Sequence, residues 1–223
     1  MSPDLGRQIR KDKFGATCYA MWMEDPDLIN EINGCRLCAD RFAQTATQHR
    51  PRPVPWFGQD PAILVAGQAP GMRVHVEGKP FWDRSGDRLR DWMGIDRATF
   101  YDRAVVSVLP TAFCFPGYDA KGADLPPPAI CWETWHARAL DHIGTPGLRL
   151  LIGAYAIRRH LGLRGSLSDI VGHWRDHAPG TFVLPHPSWR NTGWLRKHSW
   201  FETDLLPALQ KAVQDALEVA KQR

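Results

Sequence analysis

Short runs of apolar residues recur along the chain, and polar residues, glycine or proline separate them. Four runs have the length of a strand: Ala62–Gly67, Ala104–Leu109, Leu148–Gly153 and Thr181–Pro185. An uninterrupted apolar run of this length is typical of a parallel strand that is buried on both faces. The four runs therefore predict one parallel sheet.

Segments with helical character lie between these runs, at about 86–94, 130–143, 154–162 and 165–172. Residues 1–33 are expected to form a helical lead-in. In the last segment, 200–223, apolar residues recur at helical spacing and predict a closing helix. Strands that alternate with helices favour an α/β fold, a three-layer α/β/α sandwich. No internal repeat or domain boundary is visible, so we expect a single domain over 1–223.

Composition narrows the class of protein. The 223 residues are 43% hydrophobic and 23% charged, which is ordinary for a folded domain and excludes global disorder. No apolar run approaches the roughly 20 residues of a membrane span, and the first residues lack an apolar signal core. We therefore expect a cytoplasmic protein without membrane contact. A net charge of +4 allows a polyanionic partner, and ten tryptophans suggest stacking surfaces or a Trp-rich core.

Four of the five cysteines are candidate ligands for a metal. Cys35 and Cys38 form a C-x-x-C pair, and Cys114 and Cys131 form a second, wider pair. Four thiolates in two pairs suit a structural zinc ion or an iron–sulfur cluster. Buried cysteines that act as small apolar residues are the alternative. Cys18 is expected to be a core residue.

The residues that follow each predicted strand matter most, because sites of parallel sheets lie at the carboxyl ends of the strands. Gly67–Gly71 follows the first strand, Pro110–Cys114 the second and His186–Arg190 the fourth. These loops bring an amide, a histidine and aromatic rings to one edge. They predict a pocket there.

Several short motifs resemble the uracil-DNA glycosylase superfamily. They are, in order, Gly67-Gln-Ala-Pro-Gly71, Gly78-Lys-Pro-Phe81, Ser85-Gly86 and His186-Pro-Ser188. The chain is most similar to family 4, whose first motif reads Gly-Glu-Ala-Pro-Gly and which shares the cysteine layout. The resemblance runs from about residue 35 to about residue 209. It implies a central four-stranded parallel sheet and a 4Fe-4S cluster, with zinc or no metal as alternatives, on Cys35, Cys38, Cys114 and Cys131.

The resemblance also implies roles in a base pocket. Phe81 would stack on an extruded base, and His186 would donate a hydrogen bond to the uracil O2 as charge develops there. Gln68 and Ala69 would contact the base edge or the attacking water, and Gly71 would allow close backbone approach. Each residue also has an ordinary structural alternative, such as a core phenylalanine or a turn glycine.

A DNA contact is expected around this pocket. The loop from 189 to 198 interleaves aromatic and cationic residues, which is the composition of a nucleic-acid contact, although a simple loop before the last helix is the alternative. Ser188 would hold a phosphate, and Leu195 or Trp194 would fill the gap left by the extruded base. The full set of predicted DNA contacts is Ser85, Ser188, Trp189, Arg190, Trp194, Leu195 and Arg196.

The chain departs from the family 4 pattern at Gln68, where the family carries glutamate. An amide cannot act as a general base, so another group must orient the water. Asp83 is our candidate, because family 5 carries an acidic residue in the corresponding loop; a helix-capping role is the alternative. His75 and Glu77 are weaker candidates. Asp60 stays an alternative because Gly58-Gln-Asp-Pro-Ala62 resembles a family 1 motif, but it precedes its strand and should lie about 20 Å from the site.

A second departure concerns specificity. Family 4 reads the uracil edge with an asparagine whose position here falls on Pro110. A broader range of deaminated or oxidised bases is then plausible, and Asn191 is a candidate substitute for the missing amide.

The expected function is base excision from DNA, which leaves an abasic site. The expected partner is single-stranded DNA or DNA with a flipped base, at the nucleoid. A catalytically reduced, single-strand-binding protein of the same fold is the alternative, and an α/β enzyme that acts on a small molecule is a third hypothesis. The oligomeric state stays open, a homodimer included.

Overall fold

The computed structural model describes residues 28–222. Most of the expected lead-in over 1–33, and Cys18 with it, lies outside the described residues. The first described helix, α1, spans Leu28–Gly34. In this part of the chain, no helix is long and apolar enough to cross a membrane.

Four parallel strands form the centre of the molecule: β1 Ile63–Gly67, β2 Val106–Pro110, β3 Leu148–Ile152 and β4 Thr181–Leu184. Their order in the sheet is β2-β1-β3-β4. Ile63 is in register with Val106 on one side and with Leu148 on the other. Every strand residue is buried except Arg149, which is half-buried. The parallel sheet predicted from the four apolar runs is confirmed.

Helices surround this sheet. After α1 they are α2 Ala39–Ala43, α3 Met72–Glu77, α4 Arg84–Met93, α5 Arg97–Tyr101, α6 Ala129–Ile143, α7 Gly153–Leu161, α8 Leu167–Gly172, α9 Thr192–Lys197 and α10 Leu206–Lys221. The predicted closing helix over 200–223 is divided, because a π-helical turn, Phe201–Leu205, precedes α10. Helices α2, α3, α5 and α9 have only five or six residues, too few to show a helical period in the sequence.

Alternate side chains of the strands enter two apolar cores. Ile63 and Val65 pack in the larger core, which includes Leu89, whereas Leu64 packs in a smaller core with Phe57 and Leu109. Side chains of successive strand residues point to opposite faces of a sheet. Helices therefore cover both faces, and the three-layer α/β/α sandwich is confirmed.

Hydrogen bonds join the loops that follow β1 and β2. The carbonyl of Gly67 accepts from the backbone N–H of Thr111 at 2.8 Å and from its hydroxyl at 3.0 Å. The carbonyl of Gln68 accepts from the N–H of Ala112 at 3.1 Å. These bonds fix the first motif against the end of β2, so its backbone is already ordered at the edge where a ligand can approach.

Candidate functional site

A cavity of about 450 Å³ opens at the carboxyl edge of the sheet. The motifs from distant parts of the sequence meet there, among them Gly67–Gly71, Phe81, Asp83, Ser85, Pro110, His186, Ser188 and Arg190. A second cavity of about 330 Å³ adjoins it and shares Gln68 and His186. The structure therefore brings together the predicted pocket residues of all three loops.

Phe81 forms one wall of the cavity in a strained backbone conformation. Its φ is +52°, in the left-handed region that non-glycine residues seldom occupy. Its carbonyl accepts from the hydroxyl of Tyr101 at 3.1 Å, and its ring packs edge-on against Phe100. Strain of this kind persists only where surrounding contacts hold it. The ring of Phe81 is thus held in a fixed position beside the loop of the first motif.

His186 lies at the end of β4 with its side chain open to the cavity. Desolvation by the surrounding protein lowers the pKa of the imidazole, because its accessible side faces a cleft and not bulk solvent. The carboxylate of Asp83 acts in the opposite direction and raises that pKa. Asn191 Nδ2 donates to the backbone carbonyl of His186 at 2.7 Å. The ring is therefore a neutral hydrogen-bond donor near neutral pH, on a fixed backbone.

Asn191 lines the adjoining cavity, but its amide N–H is engaged with that carbonyl. Asn191 therefore holds the backbone of His186 in place, and the N–H used for that bond is not available to a base edge. Pro110 occupies the cavity wall where the family amide is expected, and it offers no side-chain donor.

Two carboxylates line the cavity. Asp83 caps the start of α4, because its Oδ1 accepts from the N–H of Gly86 at 2.9 Å. The same residue also lines the cavity, so a capping role does not remove it from the site. Asp124 was not singled out in the sequence. It lies in the loop after β2, where burial raises the pKa of its carboxyl and Arg190 acts in the opposite direction.

The other acidic and imidazole candidates lie elsewhere. Asp60 is at the amino edge of the sheet, where its N–H donates to the carbonyl of Ile143 and its carboxylate accepts from Thr145. The structure does not bring Asp60 to the cavity. His75 packs against the rings of His49 and Phe115, and neither it nor Glu77 lines the cavity.

The loop after β4 divides into cavity-lining and core residues. Ser188, Trp189 and Arg190 line the cavity, and the side chain of Trp189 is 74% exposed. Neither of the two predicted wedge residues, Leu195 and Trp194, is exposed in this structure. Leu195 is only 8% exposed in the larger core, and Trp194 stacks on His198 and donates to Ser168.

Arg196 lies away from the site. It lines a separate cavity together with Trp92 and Glu202. Its side chain is exposed there, so the structure does not bring Arg196 to the site cavity with the other predicted DNA contacts.

Sequence reasoning missed one wall of the cavity, the loop from 117 to 124. Tyr118 and Asp124 pair across this loop in a single antiparallel bridge, and both line the cavity. The backbone at Gly117 and Gly122 has positive φ, which closes the turn. Two glycines in a polar stretch directly after a strand are the signal that could have indicated it.

The four paired cysteines meet on the other side of the β2 loop. One apolar cavity of about 20 Å³ is bordered by Cys35, Cys38, Cys114 and Cys131, none of which forms a disulfide. Burial raises the pKa of the Cys131 thiol to about 12, and burial with neighbouring thiols raises the pKa values of Cys38 and Cys114. Among residues 28–222, no three His, Cys, Asp or Glu side chains are arranged around a single ion.

A comparison with protein-family models agrees with this geometry. Residues 54–210 match the model of the uracil DNA glycosylase superfamily. The match includes all four strands and every residue named above on the wall of the main cavity. It supports a glycosylase-type enzyme that acts on DNA. The chain therefore belongs to the uracil DNA glycosylase superfamily.

Proposed function

We propose that this protein is a monofunctional DNA glycosylase that hydrolyses the N-glycosidic bond of uracil, or of a related deaminated or oxidised base. The observation that carries the proposal is the meeting of Phe81 and His186 with the first-motif backbone in one cavity of about 450 Å³. This arrangement offers a stacking ring and a hydrogen-bond donor in one pocket. Both are needed to hold a base and to stabilise it as it leaves.

A base in a duplex cannot reach such a pocket, so the nucleotide enters from a single strand or by extrusion. The base then stacks on Phe81. As the bond between C1′ and the base nitrogen breaks, the electron pair stays on the base, and His186 donates a hydrogen bond to the developing charge on O2. Water adds to C1′, and the proton that it loses neutralises the base anion by way of the solvent, which leaves an abasic sugar and the neutral free base.

The water-orienting group is one of the two cavity carboxylates. Asp83 is fixed at the start of α4, lines the same cavity as His186, and raises the pKa of that imidazole against the effect of burial. Asp124 lies on a loop beside Arg190. We favour Asp83, because a group on a helix terminus is held more rigidly than a group on a loop.

Cationic side chains surround the mouth of the cavity. Arg73, Arg84 and Arg190 line it and are exposed. Guanidinium groups bind phosphates with two hydrogen bonds, so this rim supports DNA as the substrate.

The absence of a side-chain amide at Pro110 supports a broad base range. A site that hydrogen-bonds a base edge rejects analogues strongly, whereas a pocket without that group discriminates weakly. We therefore propose that the enzyme releases uracil together with other damaged bases.

The test measures base release from single-stranded oligonucleotides that carry uracil, xanthine, hypoxanthine or hydroxymethyluracil, followed by alkaline cleavage at the abasic site. The wild-type protein should cleave uracil DNA and at least one other substrate. The His186→Ala variant should lose about a hundred- to a thousand-fold in rate, as expected for removal of one preorganised donor. An unchanged rate in this variant would remove His186 from the mechanism.

A second candidate function is binding of single-stranded DNA without base release. It is favoured by the two departures from the family 4 pattern, since Gln68 replaces a general base and Pro110 replaces an amide that reads the base. Binding that persists while no substrate is cleaved would establish it. Free base that appears in proportion to the amount of enzyme would exclude it.

We also propose that the four paired cysteines hold a structural 4Fe-4S cluster, with zinc as the alternative. The proposal rests on the donor set of such a cluster, four free thiols that border one apolar cavity, although among residues 28–222 they are not gathered closely enough in this structure to hold an ion. A cluster would tie the segment around α1 and α2 to α6. Because burial raises the pKa values of the Cys114 and Cys131 thiols, binding of a metal to them must release protons.

The measurement is the iron and sulfide content of protein purified without oxygen. Cys131→Ser should lower the iron content and the midpoint of urea unfolding, whereas Cys18→Ser, outside the four paired cysteines, should leave the iron content unchanged. A colourless, iron-free preparation would exclude the cluster, and bound zinc in its place would support the alternative.

A further inference from the structure

A groove of about 400 Å³ lies between α6 and α7, outside the site cavity. Its lining includes Thr111, Trp132, Tyr155, Arg158, Arg159 and Arg164. No carboxylate lines it. The family motifs do not include these arginine and aromatic residues.

The positive charge of the groove is not neutralised within the protein. Arg158, Arg159 and Arg164 are exposed, and none of them forms an ion pair within residues 28–222. Arg90 and Arg175, by contrast, each bind a carboxylate. Three neighbouring guanidinium groups without an internal partner repel one another and attract an anion.

Aromatic packing holds the groove in shape. The indole of Trp132 stacks on the ring of His136 with centroids 4.0 Å apart, and the guanidinium of Arg159 lies 5.3 Å from the centroid of Trp132. His136 Nε2 in turn bonds the carbonyl of Pro110 at 2.7 Å. Arg159 is therefore positioned through a chain of contacts that ends at the wall of the site cavity.

The groove is a neighbour of the site along the same edge of the sheet. Pro110 lines the site cavity, and the next residue, Thr111, lines the groove. Helix α7 follows β3 directly at the carboxyl edge. The site cavity and the groove therefore adjoin the same stretch of backbone at the end of β2.

We propose that this groove binds the phosphodiester backbone of the DNA strand that continues from the nucleotide in the cavity. The inference rests on the proposed function where it says that the bound strand flanks the nucleotide in the cavity. Binding of DNA in the groove does not depend on that function. Guanidinium groups match phosphate geometry, and the Tyr155 hydroxyl offers a further donor. The groove would then hold the flanking strand while the base is released.

The first test is the salt dependence of single-stranded DNA binding, measured by fluorescence anisotropy with an unmodified oligonucleotide. The triple variant Arg158→Gln, Arg159→Gln, Arg164→Gln should bind more weakly. The slope of log K against log salt should fall by about two, since each lost phosphate contact removes about 0.7 from it.

The matched control removes the same net charge at exposed arginines that line neither cavity, Arg97, Arg103 and Arg175. This triple variant should keep most of the slope. An equal fall of the salt slope in the two triple variants would overturn the proposal, because it would show only a general effect of the net charge. Absence of any DNA binding by the wild-type protein would overturn it as well.

The second test separates the groove from catalysis. Uracil is placed near the 5′ end of one oligonucleotide and near the 3′ end of another, so that the flanking strand extends in only one direction. The groove variant should raise KM for one substrate by about tenfold or more, with kcat and the other substrate unchanged. Equal KM values for wild type and variant on both substrates would contradict the proposal. Failure of the wild type to release base, with the salt slopes as expected, would sink only the proposed function.

Discussion

Gly86 packs against the backbone carbonyl of Phe81, on the side where a side chain of residue 86 would lie. A Cβ atom built at Gly86 would lie 1.7 Å from that oxygen, which leaves no room for any side chain. The Ser-Gly motif is explained by this contact, because it allows α4 to begin against the residue that forms the wall of the base pocket. The strained backbone of Phe81 and the start of α4 are thus one structural unit.

Gly86→Ala should displace Phe81 and damage the site. The blocking atom is a backbone oxygen, so the loop must move, and overpacking of this kind costs about 1–3 kcal/mol. We expect a lower midpoint of urea unfolding together with a fall in base release of at least about tenfold. The matched control is Gly172→Ala, since a Cβ atom at Gly172 meets nothing within 4 Å. Full activity of Gly86→Ala would show that the position of Phe81 does not matter for catalysis.

The two cavity carboxylates should differ in their effect on rate. Asp83→Asn keeps an oxygen that can cap α4 but removes the charge, so the fold should remain while base release falls by about a hundred-fold or more. Asp124→Asn should change the rate by less than about tenfold. Single-turnover rates and thermal melting of both variants give the comparison. A reversed order would assign the water to Asp124.

Trp189 is the exposed apolar side chain of the loop after β4, and we expect it to replace the base that leaves a duplex. Trp189→Ala should lower base release from duplex DNA by about tenfold or more and affect single-stranded DNA little, because only a duplex leaves a gap in its stack. Val219→Ala, at another exposed apolar position, is the control. Equal losses on both substrates would argue against a wedge.

His160 should make the stability of the protein depend on pH. Burial, His136 and Arg149 lower its pKa to about 4, so the folded state binds fewer protons than the unfolded state between pH 6.5 and about 4. Its stabilising contribution is complete above pH 6.5 and is lost as the pH falls towards 4, by at most about 3 kcal/mol. Unfolding free energies of His160→Gln across this range should fall less steeply than those of the wild type.

The control for this measurement is His173→Gln, at an exposed position on a different element. It should keep the wild-type slope. Parallel curves for His160→Gln and the wild type would mean that other groups cause the acid sensitivity.

The sheet was predictable because each strand is buried on both faces. Burial of β1 on both faces demands an apolar residue at every position, and this makes a run that stands out from its surroundings. The short helices α3 and α5 were not predictable, because tertiary contacts and not their own periodicity stabilise them. The division of the last helix at Phe201–Leu205 is likewise a local hydrogen-bond pattern that apolar spacing does not encode.

The sequence by itself determined which loops form the site, since parallel strands bring the residues after their carboxyl ends to one edge. Gln68 and His186 could be named in that way, whereas Phe81 was named through the resemblance of Gly78-Lys-Pro-Phe81 to a family motif. Only the tertiary structure decided which side chains of a loop face the cavity. It buried Leu195 in the core, packed Trp194 against that core, left Trp189 exposed, and placed Asp124 on the cavity wall. The direction of a loop side chain depends on packing against distant elements, and no local pattern of residues fixes it.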